Sequence, residues 1–290
     1  MFEYYQRRKQ PTVKFKYNTT MPKSQKAGFY TSTQRFGKPN NFRLQKVLGN
    51  GPEILVYQKS ENGHLPYYYG EEDRSFRVYG FTVVKNVVTP ILDPGAEQSI
   101  KCWAARVGKE EAEKIRNEAI STGKTLHLMA ERWNAGKSLG LYPLDMSSYV
   151  EALKDDILPH LNPSSPPIAV VDDNDEVITL SEVFVVDFDR QFLGRLDLVV
   201  EIARKPFNGS RVLLELKSSR KEKTQEHMRG GIIQAVAYLT TFNTIASLFP
   251  DRVLPLDGVA MAYVYSAGNG QITPVLGEEL QEYVEEWTQW

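Results

Sequence analysis

The chain has a single cysteine, Cys102, among 290 residues. It can form no internal disulfide and no four-cysteine zinc or iron–sulfur site of its own, and a reducing compartment is expected. No run of eighteen or more apolar residues occurs, and the opening "MFEYYQRRKQ" lacks the apolar centre of a secretory signal. Neither a membrane span nor export is therefore expected. Acid is scarce at one end: residues 1–50 hold one carboxylate, Glu3, against eleven Lys or Arg. With a net charge of -1 overall, that stretch carries +10 and the remainder -11.

What is present is the composition of a globular protein with a sizeable core, 41% hydrophobic and 24% charged. The cations of the first stretch alternate with Tyr4, Tyr5, Phe15, Tyr17, Phe29, Tyr30, Phe36 and Phe42. Such a mixture suits phosphate neutralisation with base stacking, and it equally fits a solvated tail or an Arg-rich, acid-poor transit peptide. Residues 1–75 are polar and weakly periodic, so they are expected to form a basic, aromatic-containing arm, with a hairpin turning at Asn62-Gly63. Residues 76–290 are expected to be the folded domain.

Within that domain "YGFTVVKNVVTPIL" reads as strand and turn. "GKEEAEKIRNEAISTGKTLHLMAERWNAG" reads as a long helical region interrupted at Gly123, and "LDMSSYVEALKDDILPHL" as a helix ending before Pro159. The period then changes from helical to alternating. "LSEVFVVDF", "FLGRLDLVVEI" and "RVLLELKS" read as strands and "QEHMRGGIIQAVAYLTTFNTIASLF" as a helix. "DGVAMAYVYS" follows as a strand, then a short strand after Asn269-Gly270 and a terminal amphipathic helix. This order predicts an α/β chain, a mixed central sheet flanked by helices, with its first strands antiparallel.

Two of these apolar strands carry charge in their middles. If "GRLDLVVEI" and "RVLLELKS" pair as a hairpin centred on Pro206, opposed residues share the index sum 412, and Asp197 faces Glu215. Lys217, two residues from Glu215, lies on the same strand face. Two opposed carboxylates repel and are costly to bury, so a cation between them is expected; Mg²⁺ or Mn²⁺ suits such oxygen ligands. The plain alternative is a salt-bridged strand pair. His127 on the long helix is a further candidate ligand, and Gln234 and Tyr238 share a helix face at i, i+4 spacing, a pattern that ordinary helix packing also produces.

Taken in order, "GKTLH" (Gly123, His127), "GRLD" (Asp197), "ELK" (Glu215, Lys217) and "QAVAY" (Gln234, Tyr238) resemble the RecB-like branch of the PD-(D/E)XK nuclease superfamily, over roughly residues 80–265. "GFTVVKNVVTPIL", Trp103 and "RVGKEEAEKIRNEA" are similar to single-domain exonucleases of phages and of mitochondrial genome maintenance. The resemblance implies a restriction-endonuclease-like core and a metal-dependent DNA exonuclease. It also implies Mg²⁺ or Mn²⁺ held by His127, Asp197, Glu215 and the Leu216 carbonyl, with Lys217, Gln234 and Tyr238 completing the catalytic set and Glu182 in support. Lys221, Lys223 and Arg229 would touch the DNA backbone, unless they only form a solvated charged loop. A structure-specific endonuclease and a non-cleaving nucleic-acid-binding protein are the alternatives on the same fold. Residues 1–75 have no counterpart in the resemblance, the cysteines of iron–sulfur relatives are missing, and no helicase motif occurs, so any recombination or replication partner would be another chain. The setting implied is cytoplasmic, a host cytoplasm if phage-encoded, or the mitochondrial matrix.

Overall fold

The structure, a computed structural model, describes residues 27–35, 41–51, 54–58, 67–72, 75–80, 82–83, 96–161, 169–171 and 177–289. Its chain is of the α/β class, and its contacts divide it into two units. The first comprises Met1–Val84, Ala169–Arg195 and Tyr238–Leu256; the second comprises Lys85–Ile168, Leu196–Ala237 and Asp257–Trp290.

The first unit holds more strands than the single hairpin expected within residues 1–75. Strands β1 (Ala27–Arg35), β2 (Asn41–Gly49), β3 (Ile54–Gln58), β4 (Tyr67–Glu72) and β5 (Ser75–Gly80) form an antiparallel meander. Strand β6 (Thr82–Val83), a two-stranded ribbon of β7 (Ala169–Val171) with β8 (Val177–Thr179), and strands β9 (Phe184–Asp187) and β10 (Phe192–Arg195) complete its described strands. The order in the large sheet is β5-β4-β3-β2-β1-β9-β10-β6. The boundary expected near residue 75 thus falls at the start of β5, inside one hydrogen-bonded sheet. Pairing of Ile54 with Glu71 and of Gln58 with Tyr67 makes β3 and β4 the expected hairpin, while its Asn62-Gly63 turn lies outside the described residues. Tyr30, Leu44, Leu55, Val186, Phe188 and Leu193 form this unit's core, and Phe29 packs on Phe242 with ring centroids 4.9 Å apart.

The second unit begins with helix α1 (Ala96–Val107), which the sequence pattern did not reveal, and α2 (Lys109–Asn134), which runs unbroken through Gly123. Helix α3 (Ser147–Ala152) continues through a π turn (Leu153–Ile157) and a 3₁₀ turn (Leu158–His160), so the segment passes Pro159 instead of stopping before it. Pro159 sits at the start of that last turn, where its missing N–H costs no hydrogen bond. "FLGRLDLVVEI" is two strands: β10 belongs to the first unit's sheet, and β11 (Leu198–Ile202) to a second sheet.

That second sheet is β11-β12-β13-β14, with β12 (Ser210–Ser219), β13 (Gly258–Tyr265) and β14 (Gly270–Leu276). Its neighbours pair antiparallel, parallel and antiparallel in turn. The parallel pair needs a crossover, and it contains helix α4 (Gln225–Leu248), whose residues from Tyr238 onward belong to the first unit. By length and composition α4 could span a membrane, but its apolar side chains from Ile232 to Ile245 are buried within the protein. Helix α5 (Gly277–Thr288) closes the described chain.

Alternation assigns the two sheet faces. Leu198, Val200, Val212, Leu214, Leu216, Ala260, Ala262 and Val264 share a core with Leu126, Met129 and Ala130 of α2 and Val150 of α3. The odd-numbered residues of β12 and β13 face the other way, where Gly231 of α4 approaches Met261, Tyr263 and Lys217. Glu215 and Lys217 are therefore displayed on the face opposite the larger core.

Candidate metal centre

The β11–β12 hairpin has the predicted register: Leu198 opposes Leu214 and Ile202 opposes Ser210, every pair summing to 412. Asn208 and Gly209 take positive φ (50° and 82°), which Asn and Gly tolerate best, and the Gly209 N–H donates to the Ile202 carbonyl at 2.9 Å. The tight loop fixes which residue meets which at the far end of the strands.

There the ladder stops one residue short. Asp197 lies just before β11, and its Oδ2 accepts the Leu216 N–H at 2.8 Å, so a carboxylate takes the place of a strand carbonyl. A strand residue directs its N–H and C=O to the same edge. The Leu216 carbonyl is consequently turned toward Asp197 as well, while the Leu216 side chain remains in the core. The other oxygen, Oδ1, lies 3.1 Å from Nδ1 of His127, which α2 presents at the border of its buried face.

Glu215 is the least exposed charged group of the site, at 2%. Its Oε1 accepts from Lys217 Nζ at 2.5 Å and from Gln234 Nε2 at 3.0 Å. Its Oε2 is buried and has no hydrogen-bond partner among the described residues. Burial first, then the neighbouring Asp197 charge, raise the Glu215 pKa from 4.5 to about 7, against the pull of Lys217 and His127. Burial alone would lower the Lys217 pKa, but the Glu215 and Asp197 carboxylates together carry it above the ordinary lysine value, so the ammonium persists.

The structure thus brings His127, Asp197, Glu215, Leu216, Lys217 and Gln234 together within the second unit. Tyr238, one turn beyond Gln234, belongs to the first unit, where its ring occupies the space a side chain at Gly194 would need. A Cβ there would lie 1.9 Å from Tyr238 Cε1. Glu182, also of the first unit, pairs with Arg195 at 2.9 Å. Sequence reasoning passed over Tyr263, which parallel register sets beside Lys217 on the same face. The alternating "AMAYVYS" marked its face, but only the β12–β13 pairing supplies its neighbour.

The donor set fits a small divalent cation. Carboxylate oxygens and a strand carbonyl are hard ligands, an imidazole is available beside them, and the buried Glu215 Oε2 has no hydrogen-bond partner among the described residues. Neither a known family model nor a curated protein sequence matches this chain.

Proposed function

We propose that the chain is a Mg²⁺- or Mn²⁺-dependent deoxyribonuclease of the RecB-like PD-(D/E)XK type, cutting phosphodiester bonds at DNA ends. The observation that carries this reading is the buried Glu215 carboxyl group, one oxygen of which has no hydrogen-bond partner among the described residues although Lys217 is in reach. A structural salt bridge would satisfy both oxygens, since a buried acceptor left unpaired costs about 1–3 kcal/mol. A site built to receive a cation leaves one open. The antiparallel, parallel, antiparallel order of β11 to β14, with helices on both faces, supports the restriction-endonuclease-like core.

His127, Asp197, Glu215 and the Leu216 carbonyl would hold the ion. When bound, it supplies Lewis acidity toward a phosphoryl oxygen and toward the water that attacks phosphorus. The chain's own groups do the rest. The Leu216 N–H fixes the Asp197 carboxylate, and Gln234 and Lys217 fix that of Glu215. Lys217, with 31% of its side chain exposed, can turn its charge toward the phosphate oxygens as negative charge grows there, the moment at which a fixed cation accelerates hydrolysis. DNA is the proposed partner, delivered where needed by a motor or recombination protein on another chain.

The test is digestion of end-labelled linear and closed circular DNA with Mg²⁺, Mn²⁺ or EDTA. Loss of linear DNA alone, only with a metal, is expected. Cutting of the circle would turn the reading to an endonuclease, and DNA binding with no cleavage under any metal would refute hydrolysis.

A further inference from the structure

We infer that Tyr263 is a further phosphate-contacting residue, its hydroxyl donating to the same anionic group that Lys217 neutralises; this rests on the nuclease reading above. Strand register places the two residues side by side on β12 and β13. Both point at one spot on α4: a Cβ built on Gly231 would lie 3.9 Å from the Tyr263 hydroxyl and 4.0 Å from Lys217 Cε. Because residue 231 is glycine, the Met261 methyl fits against it, 2.8 Å from where that Cβ would lie, with the Lys217 stem and the Tyr263 phenol beside the same spot.

The phenol ring is held in place. It is buried to 6% exposure and stacks on Tyr265, with centroids 6.1 Å apart and planes 12° from parallel. Tyr265 is itself tied down: its hydroxyl donates to Gln271 at 2.7 Å and accepts from the Lys223 N–H at 3.3 Å. By contrast the Tyr263 hydroxyl has no hydrogen-bond partner among the described residues. A buried phenol normally finds a partner. Here the neighbours are charged: Lys217 bears on it directly, and Glu215 more weakly. A rigid O–H donor next to a fixed ammonium has the chemistry for a phosphate oxygen, because hydrogen bonds to ionised acceptors are the strong ones.

The test uses the full chain with Mg²⁺ present, wild type against Tyr263→Phe. Inorganic phosphate is titrated in by calorimetry, and end-labelled DNA cleavage is measured beside it. The variant is expected to bind phosphate about ten-fold more weakly and to show kcat lowered by about ten-fold or more, the loss of one hydrogen bond to a charged group, with its thermal midpoint unchanged. Equal phosphate affinity and equal kcat, no phosphate binding by the wild type, or a rate loss matched by a lower midpoint would each overturn the assignment. If phosphate binding depends on Tyr263 while the wild type cuts no DNA, the nuclease reading fails and the phosphate contact stands.

Discussion

Glu215 concentrates the chemistry of this chain in one side chain, and its proton is measurable. Its carboxyl holds a proton up to about pH 7 in the folded protein but only to about 4.5 in an exposed carboxyl. Unfolding therefore releases that proton anywhere between these values. The stability it contributes is fully present below about pH 4.5 and is lost as pH rises to about 7. Denaturant midpoints of the metal-free protein should fall across this window, and Glu215→Gln, which cannot titrate, should flatten the fall. A divalent ion competes with the same proton, so the stabilisation that Mg²⁺ adds should grow over the same range. A metal-free profile that rises through this window would show that Glu215 is not held protonated.

At the scale of elements, what was legible in the sequence was what depends on neighbours along the chain. The register of the β11–β12 hairpin, which brings Asp197 next to Glu215, follows from its loop. What was hidden depends on distant segments. Strand β1 pairs with β9, Tyr30 opposite Phe184, and nothing near residue 30 announces a partner that far along the chain. The polar strands of residues 27–58 therefore looked like an arm. Gly123 fails to break α2 because a helical glycine costs only about 1 kcal/mol, less than the burial of Leu126, Met129 and Ala130 returns. The passage of one apolar run from β10 into β11 carries no periodic mark, yet Gly194 records it: the glycine is required where the Tyr238 ring passes. Gly194→Ala should cost roughly 3 kcal/mol, at the upper end for an overpacked site that must shift backbone or ring. The thermal midpoint should drop by several degrees, and a midpoint equal to wild type would contradict this packing.

For the whole molecule, charge and fold now separate. Residues 27–50 contribute strands with buried Phe29, Tyr30, Leu44 and Leu48, so a deletion that ends before Ala27 leaves the described strands intact. Residues 1–26 contain seven Lys or Arg and one acid, Glu3. Deleting residues 2–26 should weaken DNA binding and make its salt dependence shallower, because each lost phosphate contact removes counterion release. Cutting at saturating DNA and low salt should persist, since His127, Asp197, Glu215 and Lys217 of the proposed metal site all belong to the second unit. Binding curves at several salt concentrations that coincide for the two chains would leave that stretch without a role in DNA affinity. The central claim, that the open oxygen of Glu215 exists to hold a divalent ion for hydrolysis, is tested most directly by single-turnover cleavage of end-labelled DNA in Mg²⁺ by wild type and by Glu215→Gln, which keeps the shape and removes the charge. The account predicts that the variant still binds DNA and loses at least about a hundred-fold in rate; a variant that cuts at the wild-type rate would contradict it.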